Sequence, residues 1–165
     1  MTATAAVRTA AETNPPHLRP RRKAGIRSED GGKTTYKPMD NFGFLKVAAA
    51  VPHVRVGDCD FNTERIAAMA EEAVQRGVEI VAFPELAVTA YTCADLLLQP
   101  ALLDAADEAL ARLVKATRKL PLVIIAGAPL RHGSTLYNCA VVFTQGRVLG
   151  VVPKTYIPDY TEFYE

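Results

Sequence analysis

Bulky apolar residues are scarce over the first forty positions and frequent afterwards, and the texture changes near Phe44. From there a regular alternation begins. The run "FLKVAAAV" (44–51) is strand-like, whereas "DFNTERIAAMAEEAVQRG" (60–77) spaces Ile66, Met69, Ala70, Ala73 and Val74 as one face of a helix. Asp60 or Asn62 is available as its N-cap and Gly77 as its terminator. "VEIVAF" (78–83) is nearly all apolar, the texture of a strand buried on both faces, and Pro84 ends it. A second helix is predicted over about 104–119, with Ala106, Leu110, Leu113 and Val114 on one face. Asp104, Asp107 and Glu108 at its start and Lys115, Arg118 and Lys119 at its end suit the helix dipole. "PLVIIAGAPL" (121–130) reads as another buried strand, and "LYNCAVVF" with "RVLGVV", separated by Thr144, Gln145 and Gly146, as a hairpin. The sum is an α/β domain whose strands come from sequence-distant places.

Composition divides the chain at the same point. Residues 1–41 are rich in small, charged, Pro and Gly residues, and are predicted to be a disordered N-terminal extension because they bury too little to offset the entropy of ordering. The domain proper is predicted over 42–165. The first forty residues hold eight Lys/Arg against four Asp/Glu, while the whole 165-residue chain is at +1, so the basic excess belongs to the leader. Nothing in that balance favours nucleic acid or an anionic membrane as a partner. The cluster "RPRRK" (19–23) lacks aromatic interleaving and reads as solvated tail. "GGKTT" (31–35) does not complete a phosphate-binding loop, since Arg27 stands where a glycine is required.

Cys59, Cys93 and Cys139 are widely spaced and odd in number, which argues against a disulfide framework or a zinc site and fits a reducing, cytoplasmic setting. His17, His53 and His132 are isolated, so no metal site is expected. No apolar run reaches the ~18 residues of a membrane span.

Candidate chemistry lies just beyond strand ends, where loops are held rigidly yet remain accessible. Glu85 follows "VEIVAFP" and Lys154 follows "RVLGVVP". Each is an ionisable group after an apolar run and a proline, with Tyr91 after the first and Tyr156 and Tyr160 after the second. A carboxylate and an ammonium brought together there serve proton transfer and oxyanion stabilisation.

"VAFPELAVTAY" and "GVVPKTYIPDYTEFYE" resemble the two signatures of the nitrilase, or carbon-nitrogen hydrolase, superfamily. "DLLLQPALL", "GAPLRHGSTLYNCAVV" and the exit "PDYTEFYE" resemble the branch formed by the glutaminase domains of glutamine-dependent NAD synthetases. The resemblance implies a four-layer α-β-β-α sandwich, of which 42–165 hold only about the first half. It implies Glu85 as general base for a cysteine nucleophile and Lys154 as the cation facing the tetrahedral intermediate. Tyr160 matches a glutamine-contacting residue, Tyr91 lines the same pocket, and Glu165 corresponds to a second glutamate. The family's cysteine lies downstream of the lysine signature, so residues 1–165 are expected to be inactive alone; of the three cysteines present, only Cys93 lies near the Glu85 loop.

A complete family enzyme is implied to be homo-oligomeric. It passes ammonia from L-glutamine to a further domain that uses ATP and Mg2+ to amidate deamido-NAD, and no cofactor is expected on 1–165 themselves. The rival expectations are a stand-alone amidase of the same superfamily and a non-catalytic interaction module.

Overall fold

The computed structural model describes residues 6–9 and 43–158. Among the described residues six strands form one sheet in sequence order, β1 (Ala6–Thr9), β2 (Val47–Val51), β3 (Ile80–Ala82), β4 (Val123–His132), β5 (Thr135–Thr144) and β6 (Arg147–Pro153). Helix α1 (Cys59–Gln75) joins β2 to β3, and α2 (Pro100–Ala116) lies between β3 and β4. The pairs β2–β3 and β3–β4 are parallel; the other three are antiparallel. β1 is drawn from the leader, for which the sequence predicts no strand; the rest of 1–41, apart from these four residues, lies outside the described residues.

The parallel strands step across the sheet in one direction, and right-handed crossovers then put both helices on the same face. The core has that layout. Ile66, Met69, Ala70 and Ala73 from α1 and Ala106, Ala109, Leu110 and Leu113 from α2 pack against Ala50, Val81, Ile124, Ala126, Val141 and Phe143. Alternation sends Val47, Ala49, Ile80, Ala82, Ile125, Ala140 and Val152 to the opposite face, where none is buried. The expectation that 78–83 is buried on both faces is therefore corrected: Val81 lies under the helices, while Ile80 and Ala82 are half-buried. One helical layer and one sheet layer are the α-β half of the expected four-layer sandwich.

The ends of α1 show which local interactions fix it. Its N-cap is Asp58, which accepts from the Phe61 N–H at 3.1 Å, in place of the predicted Asp60 or Asn62. Gly77 terminates it as predicted, at φ +70, with Gly77 N–H donating to Val74 O and Val78 N–H to Ala73 O, both at 2.9 Å. The second helix starts earlier than expected because Pro100 occupies its first turn, where a missing N–H costs nothing.

The β5–β6 hairpin turns through Gln145 (φ +47) and Gly146 (φ +78), the left-handed pair of a two-residue turn. Two residues in from the turn the ladder changes register. Phe143 stands opposite Val148 but Val142 stands opposite Gly150, so Leu149 is an extra residue and the strand bulges.

Candidate active site

β3 extends by one hydrogen bond beyond its last residue, Phe83 N–H to Ile125 O at 2.8 Å. Pro84 has no donor to continue the ladder, and the chain turns sharply at Glu85 and Leu86, the latter at φ +49. Ala87 N–H closes the turn on Pro84 O at 3.2 Å, and Val88 N–H rejoins β4 at Gly127 O at 3.1 Å. This elbow presses directly on Gly127. A Cβ there would sit 2.3 Å from Leu86 N and 2.6 Å from Pro84 O, so the close approach requires glycine.

The far side of the elbow is tied to α1. Asn62, fully buried, donates from Nδ2 to Val88 O (3.0 Å) and Arg55 O (2.8 Å), and accepts at Oδ1 from Arg55 N–H (2.7 Å). Its role is internal cross-linking of two loops, a different use from the helix cap predicted for it.

Lys154 arrives from the opposite end of the sequence. Its backbone N–H donates to Asn138 O at 2.8 Å, continuing the β5–β6 ladder one residue past Pro153. Antiparallel partners point the same way, so Lys154 projects beside Asn138 onto the face without helices. There Lys154 Nζ lies 2.8 Å from Glu85 Oε1. Asn138 Nδ2 donates to the same oxygen at 2.6 Å. The structure thus brings together the two residues singled out from strand ends, 69 positions apart. The side chains are 29% (Lys154) and 40% (Glu85) exposed, so solvent screens the pair and its own contribution to stability is at most about 1 kcal/mol. Its importance is chemical: a carboxylate and an ammonium share one spot.

Two cavities meet at Lys154 and Asn138. One, of about 380 Å³, is walled by Leu86, Leu97, Pro129 and Leu136; the other, of about 320 Å³, lies on the open sheet face against Glu85, Gly127 and Val152. Tyr91 is half-buried against the cluster of Leu86, Cys93 and Leu97 and borders neither cavity. Tyr160 and Glu165 lie outside the described residues. Asn138 and Gly127 escape sequence reasoning. Asn138 stands inside a strand pattern, and the one available signal, a polar residue buried in an apolar run, does not reveal what it faces.

All three cysteines are buried. Cys93 Sγ–H donates to Thr89 O at 3.0 Å, and Cys139 borders the sheet-face cavity with its thiol pushed up by burial. Burial foremost, then the neighbouring Cys93, Asp60 and Asp58, raises the Cys59 thiol from 9.0 to about 11. Only thiolate reacts with alkylating agents. Iodoacetamide is therefore expected to label native Cys59 about 100-fold more slowly at pH 8 than in urea, with the gap closing as pH approaches 11. Folding keeps this thiol neutral, so its contribution to stability is complete below pH 9.0 and is lost as pH rises through about 11. Equal native and denatured rates at pH 8, read by mass spectrometry, would contradict this account. Among the described residues there is no group of three or more His, Cys, Asp or Glu that could hold a metal, and no helix long and apolar enough to cross a membrane.

Residues 46–164 match the carbon-nitrogen hydrolase family model. A glutamine-dependent NAD(+) synthetase of Mycobacterium tuberculosis is 46% identical over 123 residues, which cover 74% of this chain and 18% of that protein. The solved glutamine-dependent NAD+ synthetase of Acinetobacter baumannii, in complex with ADP, superposes with a TM-score of 0.67 at 33% identity, over 72% of this chain and 22% of that one. An amidase of the nitrilase superfamily from Nesterenkonia AN1 shares the fold, with a TM-score of 0.58 at 21% identity over 71% of this chain and 45% of its own. The chain thus spans about a fifth of the length of the synthetases it matches.

Proposed function

Because this chain belongs to the carbon-nitrogen hydrolase family, we propose that it carries the base and the oxyanion cation of a glutaminase that supplies ammonia to NAD synthesis. The observation that carries the reading is the 2.8 Å contact of Lys154 Nζ, beyond the end of β6, with Glu85 Oε1, beyond the end of β3. In the proposed reaction a cysteine thiol gives its proton to the Glu85 carboxylate as sulfur bonds to the amide carbon of L-glutamine. The carbonyl electron pair moves onto oxygen, where the Lys154 ammonium faces it. Glu85 returns the proton to the leaving nitrogen, the C–N bond breaks and ammonia departs. Water then cleaves the thioester, releasing glutamate and restoring the thiol. Tyr160 and Glu165 are proposed to complete the glutamine pocket, and Tyr91, which borders neither cavity, to back it through the Leu86, Cys93 and Leu97 cluster.

The reacting thiol is not assigned to Cys59, Cys93 or Cys139: all three are buried, and Cys139, paired with Ala128, alternates onto the helix face of the sheet, away from Glu85. Residues 1–165 alone are therefore proposed to bind glutamine without hydrolysing it. The 46% identity to a glutamine-dependent NAD(+) synthetase supports NAD synthesis as the destination of the ammonia; deamido-NAD as its acceptor, a homo-oligomeric assembly and a cytoplasmic setting are proposed from the family resemblance. ATP, which the ADP complex of the Acinetobacter baumannii relative brings into the reading, and Mg2+ are proposed to act on a further domain of the complete enzyme. No step above runs through either.

Titration of isotope-labelled residues 1–165 with L-glutamine tests this by nuclear magnetic resonance. Saturable shifts at Lys154 and Asn138, with none from acetamide and no ammonia released, are expected. Equal shifts from acetamide would favour a stand-alone amidase, and no shift from either would overturn the reading. Ammonia release abolished by Cys139→Ser would show that the nucleophile had been misassigned.

A further inference from the structure

We propose that Asn138 is the positioning residue of this site, setting which oxygen of Glu85 is free to take a proton. The proposal rests on the glutaminase reading for what Glu85 does, and on geometry for the rest. Glu85 and Lys154 sit on a turn and at a strand exit, and a lysine stem is flexible, so the two charges alone do not define one arrangement. Asn138 contacts both. Its backbone oxygen accepts from Lys154 N–H at 2.8 Å, and its side-chain amide donates to Glu85 Oε1 at 2.6 Å.

The residue is only 9% exposed and is embedded in β5, opposite Pro129 of β4 on one side and next to the Cys139–Pro153 pairing with β6 on the other. It is the best-fixed member of the three. The partner atom is a carboxylate oxygen, so the amide must present its NH2 and not its carbonyl. Lys154 Nζ reaches that same Oε1 at 2.8 Å. Two donors therefore converge on one oxygen, and neither engages Oε2. A carboxylate whose Oε1 is held by two donors accepts a proton at Oε2, and rotation that would exchange the two oxygens breaks both bonds.

The carboxylate contact predicts a spectroscopic signature in residues 1–165 as they stand. One Asn138 side-chain amide proton is expected to resonate downfield and to exchange slowly with water, and Glu85→Ala is expected to abolish both properties. A second readout follows the charge at the site. In Asn138→Ala, acetic anhydride labelling of Lys154 is expected to rise about threefold as the carboxylate loosens. In Asn138→Asp, labelling is expected to fall about threefold, because the ammonium then faces two carboxylates. Simple loosening of the fold would raise labelling in both variants. An Asn138 amide resonance indifferent to Glu85→Ala, or labelling that moves the same way in both variants, overturns the proposal. Should either Asn138 variant fail to fold, the resonance comparison still decides. No glutamine is present in these measurements, so their failure leaves the glutaminase reading intact, and failure of glutamine to bind leaves the Asn138 contact intact.

Discussion

Gly127→Ala is expected to lower the melting temperature of residues 1–165 by about 10 °C and to release Lys154 from Glu85. The added carbon would lie 2.3 Å from Leu86 N, 2.6 Å from Pro84 O and 2.8 Å from Glu85 C, and all three are backbone atoms of one tight turn. No side chain can swing away to make room. The turn must lift from β4, which breaks the Val88 N–H bond to Gly127 O and carries Glu85 with it. Overpacking of this kind costs about 3 kcal/mol, and each kcal/mol moves the transition by roughly 3 °C in a chain of this size. Gly150→Ala is the control, because a Cβ there meets nothing within 4 Å. Thermal melts of the two variants, with the Lys154 labelling rate as second readout, test the idea; a Gly127→Ala protein as stable as Gly150→Ala would sink it.

Asn62→Ala should be nearly as damaging, by about 3 kcal/mol, although it creates no clash. It strips the partners of Arg55 N–H and Val88 O and leaves Arg55 O with only the Asp58 N–H at 3.3 Å, and Val88 is fully buried. Asn62→Asp separates donor from acceptor. The carboxylate still accepts from Arg55 N–H but faces two carbonyl oxygens with no proton to give, so it should be at least as destabilised at neutral pH and partly rescued in acid. Urea melts at pH 7 and pH 4 measure this, and a destabilisation below 1 kcal/mol would show that water replaces the amide.

What the sequence discloses follows from how local each signal is. Both helices are legible because Ile66, Met69, Ala70 and Ala73, and likewise Ala106, Leu110 and Leu113, keep one face on the core. The extension of the β4–β5 ladder to His132 and Thr135 is not, because Arg131, His132 and Thr135 are exposed and carry no apolar alternation. The segment Tyr91–Leu98 forms short tight turns broken at Ala94 (φ +47), a conformation that "YTCADLLL" does not announce through any periodicity. Glu85 and Lys154 stand out in sequence because each follows an apolar run and a proline. The third member of the cluster does not, since Asn138 gains its meaning from the strand partner opposite, and register is a long-range property.

The bulge at Leu149 decides where Lys154 points. With the turn at Gln145 and Gly146 fixing Thr144 opposite Arg147, an unbroken ladder would put Pro153 opposite Asn138 and carry Lys154 round to the helix side of the sheet. The extra residue changes the count by one, and the ammonium emerges beside the carboxylate. The stretch from Gly146 to Lys154 thus has a parity as well as a length. Loss or gain of a single residue there would turn Lys154 to the face of the sheet away from Glu85 with every side chain of the site still present, while a change of two would restore the face but displace the ammonium by about 7 Å along the strand.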